Sequence, residues 1–238
     1  MTTTVVGVDG CRAGWYAVAW NTEENRFCGC VLPQFKDVLV FSQEAQIVAV
    51  DMPIGLLDHA LPGGRICDVY ARKLLHPNRM SSVFSAPVRT ALEAETYAEA
   101  LALNRDSSHH DRGLSKQCFG IFPKIREVDQ LMTPDLQQRV REIHPELGFS
   151  ALNGGFPLGH AKRTPEGRAE RLDLLVRAGF APLLAQMLGT RLEGAEPDDL
   201  LDACAACWSA RRIAEGRAER IPPDPRRDAK GLSMQIWY

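Results

Sequence analysis

Asp9 follows the apolar run Val5-Val6-Gly7-Val8, and Asp51 follows Ile47-Val48-Ala49-Val50. Glu146 ends the stretch Val140-Arg141-Glu142-Ile143-His144-Pro145, while Asp198-Asp199 and Asp202 open a helix-like segment near the C-terminus. A carboxylate that closes a buried strand sits at the rim of a sheet, where several can meet. Such groups repel one another, so gathering them is costly unless cations occupy the site. Divalent-metal-assisted cleavage of a phosphodiester is the chemistry this pattern suits.

Each acid also has a purely structural use. Asp9, beside Gly10, can bond nearby backbone amides as a turn residue. Asp51 can cap a strand end, although an ionisable group after so many apolar residues is poorly explained by packing. Glu142 shares a run with Glu146, and alternation would put residues 142, 144 and 146 on one face unless Pro145 breaks it. Either glutamate can therefore be the ligand, with Glu146 favoured, and His144 reads as a hydrogen-bonded structural residue before a proton carrier. Asp199 and Asp202 are three apart and share a helix face, whereas Asp198 points elsewhere and serves the helix start. Leu200, Leu201, Ala203, Ala205, Ala206 and Trp208 make that helix apolar, so its acids are expected to face the sheet rim. Arg211 and Arg212 lie two turns or more away, which leaves a shared metal cation as the expected partner of both acids.

The elements that must hold these residues follow from periodicity. Residues 5–9, 14–20 and 26–32 read as three strands joined by short turns, an antiparallel meander. A helix over 34–42 then leads to the strand ending at Asp51, which predicts a mixed sheet with helices against it. Residues 57–135 read as a helical insertion, with helices over 67–75 and 91–104 and a shorter one within 128–139. Residues 140–145 return to strand character, and 153–167 are a Gly- and Pro-rich loop. Helices are expected over 165–178, 182–188 and 197–215, the last with Pro197 in its first turn, and 231–238 as a closing strand. The 238 residues make one large α/β domain or a core with an insertion.

Composition narrows the function. A net charge of -2 excludes a generally basic nucleic-acid binder, so any contact with nucleic acid rests on local patches. Seven cysteines without a disulfide-like spacing predict a reducing, cytoplasmic setting. No apolar stretch is long enough to span a bilayer, and Met1-Thr2-Thr3-Thr4 lacks the regions of a signal peptide, so no membrane partner is expected.

Seven motifs in order resemble the predicted RNase H-like nuclease family, a domain of unknown function. They are Gly7-Val8-Asp9-Gly10-Cys11-Arg12 with Gly14-Trp15, Val50-Asp51-Met52-Pro53-Ile54-Gly55, and Arg65-x-Cys67-Asp68 with Ala71-Arg72. Ser81-Ser82-Val83-Phe84 with Pro87-Val88-Arg89, and Lys124-Ile125-Arg126-Glu127-Val128-Asp129, lie in the insertion. Glu142-Ile143-His144-Pro145-Glu146 and Asp198-Asp199-Leu200-Leu201-Asp202-Ala203 complete the series. The likeness spans essentially the whole chain. It implies an RNase H-like mixed sheet flanked by helices, a carboxylate-rich metal site and nuclease chemistry on DNA or RNA. Asp9 would then bridge two Mg²⁺ or Mn²⁺ ions roughly 3.5–4 Å apart, with Asp51 and Glu146 on one side and Asp199 and Asp202 on the other. One water on the metal would supply the nucleophile.

Arg65, Arg72, Lys73, Arg79, Arg89, Lys124 and Arg126 crowd the insertion, with Ser81, Ser82, Ser115 and Gln117 among them. Arg12, Arg65, Arg79, Ser81, Ser82, Arg89, Gln117 and Lys124 are the expected contacts to a phosphodiester backbone. The same cations could instead form ion pairs with Asp68, Glu127 and Asp129 on a solvated face. Cys28-x-Cys30 with Cys204-x-x-Cys207 could bind zinc, although cysteines among alanines suit a core better. His109-His110 falls in a polar loop. Two other readings stand: an actin-like or sugar-kinase-like ATP-binding protein, with Asn153-Gly154-Gly155 as its second phosphate loop, and a non-catalytic nucleic-acid-binding module.

Overall fold

A five-stranded mixed sheet organises the molecule, in the order β3-β2-β1-β4-β5. The computed structural model describes residues 3–108, 113–187 and 194–238. Strands β1 (Thr4–Cys11), β2 (Gly14–Asn21) and β3 (Arg26–Leu32) form the antiparallel meander. Helix α1 (Phe35–Phe41) then carries the chain to β4 (Ile47–Val50), which lies parallel to β1. Val8 is level with Val50, so Asp9 and Asp51 leave neighbouring parallel strands side by side.

Between β4 and the next sheet strand run α2 (Ile66–Leu74), α3 (Tyr97–Asp106), α4 (Lys116–Gly120) and α5 (Phe122–Leu131). Strand β5 (Val140–Glu142) closes the sheet parallel to β4. It is followed by α6 (Pro145–Leu152), α7 (Pro165–Leu175), α8 (Ala181–Met187) and α9 (Pro197–Ala214). A separate ribbon pairs β6 (Arg220–Ile221) with β7 (Ile236–Trp237).

Alternation along the strands divides the core in two. Val6, Val8, Val48, Val50 and Val140 pack under α1 and α5 through Phe35, Val38, Ile125 and Val128. Val5, Ile47 and Ala49 face the other way, onto the Ala- and Cys-rich side of α9. Gly7 makes that second packing possible. A Cβ there would meet Cys207 N at 2.0 Å and Ala203 O at 2.3 Å, so only glycine lets the helix approach so closely. Asp9 belongs to the same face as Val5 and Gly7, and the close approach brings the first turns of α9 beside it.

Several expected boundaries move. The helix expected over 91–104 is two elements, a 3-10 turn at Arg89–Glu93 and α3, because Thr96 restarts the chain by accepting from Glu99 N at 3.2 Å. The expected 128–139 helix starts earlier, as α5 with Pro123 in its first turn, and residues 136–138 form only a 3-10 turn. The strand expected over 140–145 stops at Glu142. Pro145 opens α6, whose N-cap His144 accepts from Glu146 N at 3.2 Å. Glu146 therefore stands in the first turn of a helix and not at a strand end. Of the closing strand expected over 231–238, only Ile236–Trp237 forms a strand, and Ser233 makes an isolated antiparallel bridge to Arg227. Leu188 and His109-His110 lie outside the described residues.

Candidate functional site

Asp9, Asp51, Glu146 and Asp202 line one cavity of about 520 Å³ at the C-terminal ends of β1 and β4. Two carboxylates arrive on parallel strands, one on the first turn of α6 and one on the second turn of α9. Asp9 is 8% exposed, and its Oδ1 accepts from Gly10 N at 2.8 Å. Asp51 is half-buried and receives no hydrogen bond from the described residues. Asp202 is 4% exposed and accepts from Lys162 Nζ at 2.7 Å.

Electrostatics follow from that crowding. Burial, then the charges of Asp202, Asp51 and Asp199, hold the Asp9 carboxyl well above its ordinary range. Burial also pushes Asp51 up to about 6, with Asp202 and Glu146 adding to the rise and His144 and Lys162 opposing it. Asp202 is raised by burial even though Lys162 pulls it down. Burial alone would lower Lys162, yet Asp202, Asp9 and Asp51 together hold it above the usual lysine range. One ammonium thus faces three crowded acids.

Glu146 pairs with Arg171, both buried, while its Oε2 is shut away from solvent with no partner. Arg171 also donates to Gly167 O at 2.8 Å and lies 5.3 Å over the Phe149 ring. Glu142, the other candidate, also lines the cavity, but its carboxylate is already engaged: Arg65 Nη1 and Ile54 N donate to its Oε2 at 2.8 and 2.7 Å. Burial pushes Glu142 up to about 7 against the pull of Arg65. His144 Nδ1 is occupied by Glu146 N, which leaves the ring proton on Nε2, 3.4 Å from Ser82 O.

Around the acids, Arg79, Ser81, Ser82, Gln117 and Lys124 line the same cavity. Lys124 reaches Gly14 O, and its ammonium lies 4.9 Å over the Trp15 ring, while Arg79 Nε is buried without an acceptor. The other expected phosphate contacts are placed differently. Arg65 touches the cavity but is fully buried between Asp68 and Glu142, at 2.8 and 2.6 Å. Arg89 is tied to Asp129 and Asp228, and Arg12 is exposed; neither lines the cavity.

Asp199 is drawn off by a different task. Its carboxylate accepts from Glu196 N at 2.8 Å and so caps α9, although its charge still raises Asp9. Asp198 pairs with Arg168 at 3.1 Å. The expectation that the α9 acids lack a protein cation is corrected by Lys162, which comes from the Gly- and Pro-rich stretch after α6. No periodicity marks a loop lysine, and neither Lys162 nor Arg171 carried a signal beyond its charge.

Among the described residues, no three His, Cys, Asp or Glu side chains already stand grouped as a metal-ligating set. Cys204 and Cys207 are buried in α9 while Cys28 and Cys30 lie on β3, so the four thiols make no zinc site. Asn153, Gly154 and Gly155 close α6 outside the cavity, and no helix among the described residues is long and apolar enough to cross a membrane.

The model of a family described as Protein of unknown function (DUF429) matches residues 7–227. No curated protein and no solved structure matches the chain.

Proposed function

The chain belongs to this family of unknown function, and we propose that it is a Mg²⁺- or Mn²⁺-dependent nuclease acting on DNA or RNA with an RNase H-like fold. The observation that carries the reading is the crowding of the Asp9, Asp51 and Asp202 carboxyls in one open cleft beside Arg79 and Lys124. The meander followed by parallel strands, with acids at the ends of β1 and β4, supports the fold part.

The donor set fits a hard divalent cation. Carboxylate oxygens are the ligands such ions take, and Mg²⁺ needs few of them because it keeps several waters. Asp9, Asp51 and Asp202 would hold it, with the unpaired Oε2 of Glu146 as a further donor and Asp199 at the margin. When bound, the metal supplies positive charge to the reacting phosphate and lowers the pKa of a water.

The remaining residues have separable tasks. Lys124, Arg79, Ser81 and Gln117 would bind and orient the phosphate backbone along the cleft wall. Arg171 fixes Glu146 against α7, and His144, with Nδ1 engaged, positions the first turn of α6 without serving as a base. Lys162 offsets part of the charge on Asp202 and must yield when a stronger cation enters.

The test is a cleavage panel of single-stranded, duplex, hybrid and branched substrates in Mg²⁺, Mn²⁺ or EDTA, with ATP hydrolysis measured in parallel. Metal-dependent cleavage lost in Asp9→Asn is the expected result. ATP turnover without cleavage would favour the kinase-like reading, and binding without cleavage the module.

A further inference from the structure

Beyond the β5 edge, away from the carboxylates, two cations stand without counter-charges. Arg220 pairs with Trp237 across the β6–β7 ribbon, and Trp237 bridges in parallel to Ile143, two residues after Arg141. Side-chain alternation therefore puts Arg141, Trp237 and Arg220 on one face. The guanidinium carbons of Arg141 and Arg220 lie 5.3 and 5.6 Å from the indole centroid.

Stacking on an indole explains part of this arrangement. It does not satisfy the donors, of which each guanidinium has five. Neither guanidinium makes a hydrogen bond or ion pair among the described residues, and Arg141 Nε and Trp237 Nε1 are shut off from solvent with no acceptor. Burial, then the like charge of Arg220, lowers the Arg141 pKa. The acid beside Arg220, Glu219, belongs to the alternate face and accepts from the Tyr238 hydroxyl at 3.1 Å. A half-buried cation beside a second one is costly unless an anion joins them.

We propose that Arg141, Arg220 and Trp237 form a binding site for a phosphate group. Two guanidinium forks held against the indole ring offer donors from two side chains and two positive charges. That set suits an oxyanion with several charged oxygens better than chloride or a single carboxylate. The phosphate can come from a small phosphorylated compound or from a nucleic-acid backbone passing outside the cleft. The site stands independently of the nuclease reading.

The test is calorimetric titration of the intact chain in EDTA with inorganic phosphate, with acetate, and with a short oligonucleotide too small to bridge to the cleft. Saturable phosphate binding is expected, about tenfold or more weaker in Arg141→Met and in Arg220→Ala, as for loss of a charge-assisted hydrogen bond. Without phosphate both variants should melt at or above the wild-type temperature, because like-charge repulsion is relieved. Oligonucleotide binding that needs Arg141 and is displaced by phosphate identifies the backbone as the source; phosphate binding alone identifies a small compound. Absence of saturable binding by either probe, equal binding of acetate, or affinities unchanged in both variants would overturn the site.

Discussion

Asp51→Asn should stabilise the metal-free protein, and the gain should depend on pH. Burial and neighbouring acids push the Asp51 carboxyl up to about 6 from 3.8. A raised folded-state pKa means the folded chain holds its proton over a range where the unfolded chain has already lost it. Stability then falls as pH climbs from about 4 to about 6 and stays low above, the reverse of an ion-paired aspartate. A shift of about two units is worth about 3 kcal/mol at neutral pH. For a chain of this size that corresponds to roughly 6–12 °C of melting temperature. Asp9, whose carboxyl is also held well above its ordinary range, adds a slope of the same sign in the wild type. Melting curves in EDTA from pH 4 to 8 measure the effect: the variant should match the wild type at the acid end and exceed it at neutrality. Added Mn²⁺ should close the gap by stabilising only the wild type. A variant that melts lower at every pH would refute the reasoning and make Asp51 a structural strand cap.

Three more outcomes follow from other contacts. Arg65→Met should cost about 3–5 kcal/mol, read as a lower melting temperature, because it strands Glu142 and Asp68 in the interior without a cation; a mild effect on folding with a large loss of substrate affinity would return Arg65 to the phosphate contacts. Lys162→Met should lower metal-free stability by about 1–3 kcal/mol and tighten Mn²⁺ binding, since the ammonium no longer competes at Asp202, and calorimetry reads both. Gly7→Ala should drive α9 off β1 at a cost of about 1–3 kcal/mol or more, with metal binding weakened alongside because Asp202 moves with the helix.

The strand-end acids were legible because their signals are local. Short β-branched runs fix β1 and β4, and the parallel register of Val8 with Val50 then sets Asp9 beside Asp51. Asp202 was legible through helix spacing, since the apolar face of α9 leaves it nowhere but the sheet rim. Glu146 was placed on the wrong element because Pro145 fits both a strand end and a helix start, and only tertiary packing decides between them. Asp199 shows the opposite case: its spacing is right for the cluster, but a backbone N–H three residues earlier claims its carboxylate. The cations were least legible. Charge and position in the sequence suit Arg65 and Arg89 both to phosphate contacts and to ion pairs with Asp68 and Asp129, and only packing selects the ion pairs; Lys162 arrives from a loop whose path no periodicity encodes.

An anomalous difference map from crystals soaked in Mn²⁺ tests the central claim most directly. The account predicts a peak within coordinating reach of Asp9 and of Asp51 or Asp202, with Lys162 displaced from Asp202. A cleft without Mn²⁺ at saturating concentration, with Asp202 still on Lys162 and Asp9 still on Gly10 N, would contradict it.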